Sequence, residues 1–176
     1  MSYVAVYSAA SPDTPNKVLT HFEDIAAILA EQGVRFERWQ PGAIEKGASD
    51  AQILAACQAP IQALGYASAD VLRMTADHPQ KAELREQFLD ERRYREDDVR
   101  FFIAGQGLFA LHVGDYVYAV RCEKNDLLVI PAGMAHWFDM GENPHFVALR
   151  LFNTAAGWVP AFTDDTLARR FPGLDD

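Results

Sequence analysis

The stretch DERRYREDDVRFF, residues 90–102, sets nine charged side chains directly ahead of an apolar run. It is either a solvated turn before a strand or part of a site. Arg92 and Tyr94 stand two residues apart, so on an extended chain they share one face while Arg93 and Arg95 take the other. A second stretch, PAGMAHWF (131–138), sets Pro131 and Gly133 ahead of His136, a tight turn that presents an imidazole to whatever the strands enclose. A phenol and an imidazole are candidates to move a proton, and guanidiniums are candidates to grip an anion.

Those residues need elements to hold them. VAVYS (4–8) reads as a strand, and Thr20 with Glu23 forms a capping box before FEDIAAILAEQ, a helix that Gly33 closes. VRFERW (34–39) alternates as a half-buried strand. Ser49 with Gln52 opens a second helix that Pro60 kinks or interrupts, and DVLRMT follows as a strand. In PQKAELREQFLDE the proline falls in the first turn of a third helix, with Leu84 and Phe88 on one face. From residue 99 short strands alternate with turns: VRFFIAG, GLFALHV, DYVYAVRC, DLLVIP and FVALRLF, separated by GQG, GD, KND, PAG and GENP. Gly114-Asp115 is the sharpest hairpin signal, and a last helix is expected near 164–170. Strands at this spacing make a closed antiparallel barrel or sandwich.

The totals narrow the function classes. The 176 residues fit one domain, 1–176, with 49% apolar and 23% charged side chains, which is ordinary globular composition. A net charge of −9 argues against nucleic acid, which requires a concentrated basic face. No run approaches the roughly 20 apolar residues of a membrane span, and the first residues lack a signal-peptide pattern. Cys57 and Cys122 lack metal-type spacing and read as buried reduced thiols of a cytoplasmic protein.

Small barrels with the His136 turn commonly carry an earlier H-x-H-x(3–4)-E motif, followed by glycine across six residues, which completes an octahedral metal site. The chain resembles the acireductone dioxygenase family, cupin enzymes of methionine salvage. The resemblance runs in order through VRFERW, ADHPQKAELREQFLDE, DDVRFFIAGQGLFALHVGD, CEKNDLLVIPAGMAHWFDMG, FVALRLF, GWVPAFT and FPGL. It implies a mainly β fold with α: a cupin-type, jelly-roll-like antiparallel β-barrel preceded by an α/β N-terminal part with about three helices. It also implies an iron or nickel ion, one per chain, and a monomer.

The resemblance turns the opening stretch into a site with exchanged residues. Arg92 and Tyr94 occupy the family's two histidine positions and Asp98 its glutamate, with six residues between Asp98 and Gly105 as the motif requires. Only His136 keeps the family's ligand. Arginine has no lone pair to give, tyrosine replaces imidazole poorly on Fe(II) or Ni(II), and aspartate is one carbon shorter than glutamate. Arg100 and Arg150 match the family's arginines facing the enediol, with Phe88 and Phe138 as an apolar wall. Both arginines could instead pair with Asp98 or Glu96. His112 reads as structural, His21, His78 and His145 as surface residues, and Trp39, Trp137 and Trp158 as core.

Three functions follow. The leading expectation is a diverged enzyme that acts on a small anionic enediol or α-keto substrate with no cofactor. Arg92 would stand in for the dication, His136 or Tyr94 would act as acid or base, and O2 could take part. The second is an acireductone dioxygenase whose metal is held by Tyr94, Asp98 and His136. The third is a non-catalytic cupin that binds a small anion.

Overall fold

The computed structural model describes residues 1–176. In chain order the elements are β1 (Tyr3–Ser8), β2 (Lys17–Leu19), α1 (Phe22–Ala30), β3 (Arg35–Arg38), α2 (Asp50–Ala56), α3 (Gln58–Leu64) and β4 (Ser68–Met74). They continue with α4 (Lys81–Phe88), β5 (Arg92–Arg93), β6 (Asp98–Val113), β7 (Tyr116–Glu123), β8 (Asp126–Ile130), β9 (Ala135–Asp139), β10 (Phe146–Phe152) and β11 (Ala161–Phe162). Short 3-10 turns lie at Ala155–Trp158 and Leu167–Arg170.

The fold is mainly β, and every strand pair is antiparallel. Its spine is β6, 16 residues long. The first half of β6 pairs with β8 and β10, the second half with β7 and β9. One strand therefore belongs to both halves of the barrel and wraps the sheet around a core of Phe36, Phe102, Phe109, Leu111, Ile130 and Phe146. Burying each such side chain contributes roughly 1.5–3 kcal/mol.

The GQG segment, expected as a turn between two strands, is instead a bend inside β6. Gly105 adopts φ +74°, and the register against β10 slips between Val147 and Ala148. A Cβ at residue 105 would fall 1.9 Å from the His145 carbonyl oxygen, so only glycine lets the backbones approach this closely.

Other local expectations divide cleanly. The Gly114-Asp115 hairpin forms between β6 and β7. The Ser49 capping box is complete: the Ser49 hydroxyl accepts from the Gln52 N–H at 3.2 Å, and the Gln52 side chain accepts from the Ser49 N–H at 2.8 Å. The Thr20 box does not form. Helix α1 starts one residue later, behind His21, which puts Glu23 one position short of the place from which it could close the box. The second helix is interrupted at Cys57, leaving Pro60 in the first turn of α3 and giving four helices where three were expected. Pro79 lies just ahead of α4 rather than inside it. The closing helix is only a 3-10 turn. Both cysteines are buried and free. No helix is long and apolar enough to cross a membrane.

Candidate active site

Strand β9 runs between β5 and β6, with His136 opposite Arg92 on one side and Leu111 on the other. The turn before it is tied to the charged stretch. Gly133, at φ +84°, donates its N–H to the Tyr94 carbonyl at 2.9 Å and accepts from the Arg93 guanidinium at 2.7 Å. The Ala132 N–H reaches the Asp97 carboxylate at 2.9 Å. These bonds fix where the imidazole emerges. His136 is buried, its Nδ1 2.9 Å from the Met134 carbonyl and its Nε2 2.9 Å from Asp98 Oδ2. A carbonyl can only accept, so Nδ1 carries the hydrogen. Nε2 then faces a carboxylate oxygen across a hydrogen-bond distance, an arrangement that requires a cation, proton or metal, between them.

Asp98 and Arg100 lie two apart on β6 and so share a face, and Arg100 stands directly opposite Arg150 on β10. Like charges in that position repel unless a counter-charge intervenes. Asp98 supplies it, 2.8 Å from Arg100 and 3.9 Å from Arg150, which settles their partner as Asp98 rather than Glu96. Glu96 instead binds the N–H groups of Asn153 and Thr154. Burial pushes the Asp98 carboxyl upward, but Arg100, His136 and Arg150 together hold it far below the ordinary carboxylate range. Arg150 is lowered to about 10, chiefly by burial and then by Arg100. It packs against two rings, 3.6 Å from the Trp158 centroid and 5.2 Å from that of Tyr94. One carboxylate against two guanidiniums leaves the cluster net positive, so it attracts an anion.

The cluster floors a cavity of about 200 Å³, room for a small molecule only. Its lining includes Tyr94, Asp98, Arg100, His136 and Arg150, with Leu72, Met74, Phe88, Phe109, Phe138 and Phe146 as the apolar wall. Every site residue expected from sequence thus lines one cavity. Arg92 also borders it, yet its guanidinium is turned to the Gln87 and Asp90 carbonyls at the end of α4 and lies over the Phe162 ring. It caps a helix terminus rather than placing charge beside His136. Arg93 and Arg95 are exposed, as expected, although only Arg93 lies in a strand. Sequence reasoning missed Leu72 and Met74, although their spacing in β4 puts them on one face, and it took Trp158 for plain core.

A barrel of antiparallel strands that encloses a histidine, a carboxylate and paired arginines is a cupin-type enzyme scaffold. The chain belongs to the ARD/ARD' family, whose model matches residues 4–160. It is 61% identical to the acireductone dioxygenase of Pseudomonas fluorescens strain Pf0-1 and 58% identical to that of Pseudomonas aeruginosa strain UCBPP-PA14, in each case over the whole of both chains. Among solved structures it is similar to an acireductone dioxygenase from Bacillus anthracis with a cadmium ion in its active centre. That likeness has a TM-score of 0.79 at 27% identity and covers 92% of this chain and 98% of the other.

These relatives overturn the leading expectation. Identity of this order over full length, with proteins named for the family's own activity, leaves no support for a diverged enzyme that has abandoned the family's chemistry. The expectation of no cofactor falls with it, since the solved relative carries a metal ion in its active centre. The geometry agrees, because Arg92 does not take the dication's place. Two ligands at right angles on an ion with bonds of about 2.1 Å stand about 3 Å apart. His136 Nε2 and Asp98 Oδ2, at 2.9 Å, already have that separation, and the Nδ1 bond to Met134 fixes the tautomer a ligating histidine needs. These two residues fit a metal. Arg92 does not.

Proposed function

We propose that the chain is an acireductone dioxygenase, a single-domain monomeric oxidoreductase that acts with O2 on a small anionic enediol. Its divalent ion, iron or nickel, would be held by His136 and Asp98 with Tyr94 beside them. The observation that carries this reading is the full-length identity to proteins of that name, 57–61% among the Pseudomonas relatives. A bound ion would supply Lewis acidity and access to O2 chemistry.

The chain's own groups account for the rest. Arg100 and Arg150 offer adjacent N–H forks to neighbouring oxygens of an enediolate, and the net positive cluster favours the deprotonated substrate. Asp98 holds the two guanidiniums together so that they do not have to reorganise when the anion arrives. Trp158 and Tyr94 both pack against the Arg150 guanidinium and hold it in place. Phe88, Phe138 and Met74 form a dry wall that strengthens each of these contacts. With His136 Nε2 committed to the ion and Nδ1 bonded to the Met134 carbonyl, a substrate proton would be exchanged with the Tyr94 oxygen, which belongs to a residue lining the cavity.

Elemental analysis of protein loaded with Fe(II) or Ni(II) and then gel-filtered tests the reading. It requires one equivalent per chain that depends on His136, so that His136→Ala lowers the metal content by one. Metal far below one equivalent after loading sinks it.

A further inference from the structure

We propose that Glu91, His112 and Asp165 form a second divalent-cation site on the outside of the barrel wall, separate from the cavity at His136. The three residues come from the chain just ahead of β5, from the end of β6 and from the segment after β11. One donor atom from each lies within 4.8 Å of the other two.

Charge balance points independently to the same place. Four carboxylate side chains in the chain are buried: Glu91, Asp98, Asp126 and Asp139. Asp98, Asp126 and Asp139 each pair with a guanidinium, from Arg100, Arg38 and Arg85. Glu91, only 3% exposed, pairs with a histidine alone, His112 Nδ1 at 2.7 Å. A buried carboxylate needs a positive partner, and of the four Glu91 alone has no permanently charged one, a place that a cation bridging it to His112 would fill. The cavity outside it adds Asp90, Asp164 and Asp165 against the single Arg169, an acidic approach for a cation.

The ligands are already braced. The Thr163 hydroxyl donates to Glu91 Oε1 at 2.8 Å, and the Leu167 N–H donates to Asp165 Oδ1 at 2.9 Å. Such supporting bonds orient metal ligands. Ligand atoms around an ion with bonds of about 2.1 Å stand roughly 3–4 Å apart, so closing the site asks only for a rotation of the exposed Asp165 side chain. One imidazole with two carboxylates suits zinc, nickel or cobalt better than calcium or magnesium. The site cannot share its ion with His136. In the register His136 lies opposite Leu111 and Arg92, whereas His112 and Glu91 are the next residues along and point to the other face.

The test is zinc content after loading with Zn2+ alone and gel filtration, with zinc affinity measured by titration. Asp165→Asn, at an exposed position, and His112→Gln should each remove close to one zinc per chain or weaken that equivalent at least about tenfold. The same equivalent should persist in His136→Ala. Zinc content and affinity unchanged by both substitutions in folded protein, or loss of all zinc in His136→Ala, would overturn the proposal.

Discussion

Replacing Asp98 by asparagine removes a single charge from the centre of the positive cluster while barely changing its volume. Arg100 at 2.8 Å and Arg150 at 3.9 Å would then face each other with side chains only 14% and 11% exposed and no counter-ion. Removing one partner of a buried ion pair costs about 3–5 kcal/mol, most of it the penalty of the charge left behind. In a chain of this length 1 kcal/mol moves the melting temperature by about 2–4 °C, so a cost near 4 kcal/mol lowers Tm by roughly 12 °C. Thermal melts at pH 7, with urea unfolding as a second readout, measure it. Adding Arg100→Met to Asp98→Asn should recover part of the loss, because it removes one of the stranded charges. A fall in stability below about 1 kcal/mol for Asp98→Asn would refute the claim that this carboxylate holds the arginines together.

Arg92→His combined with Tyr94→His puts imidazoles at two further positions on the wall of the cavity and should tighten Ni(II) binding at least about tenfold by calorimetric titration. The same pair should cost about 1 kcal/mol of stability, since the guanidinium that caps the end of α4 is lost. Asp139→Asn tests the acid limb of stability. Burial raises the Asp139 carboxyl, but Arg85 at 2.8 Å and the Leu174 and Gly141 N–H groups pull it below its ordinary value. A depressed folded pKa gives stability that is present above the unfolded value, about 3.9, and is lost as pH falls through the folded one. Urea midpoints of the variant should therefore be lower at neutral pH and fall less steeply below about pH 4. Gly105→Ala should cost about 3 kcal/mol or more, measured by urea unfolding, because its Cβ meets a carbonyl oxygen at 1.9 Å in a left-handed backbone.

How far the sequence exposed this architecture depends on where each signal resides. Period-two strands, the Gly114-Asp115 hairpin and the Ser49 box are local patterns, and they form as read. Gly105 misled because a glycine needed for close approach to His145 looks the same in sequence as one needed for a turn. Helix α1 begins where tertiary packing places Phe22 against Phe36, and no capping preference at Thr20 outweighs that contact. The family resemblance, together with strand alternation at Tyr94 and the turn before His136, pointed Tyr94, Asp98, Arg100, His136 and Arg150 to one cavity. The direction of Arg92 was not legible, because the carbonyls it caps belong to a helix end whose position only the fold decides. The isolation of Glu91 was equally invisible, since it shows only when the guanidinium partners of the other buried carboxylates are known.

Oxygen consumption with the acireductone substrate, measured across a panel of added Fe(II), Ni(II), Co(II) and Mn(II), decides whether the chain is a metal-dependent dioxygenase. Uptake should depend on added metal, be abolished in His136→Ala and be strongly reduced in Arg100→Ala. No uptake with any metal of the panel would contradict that reading.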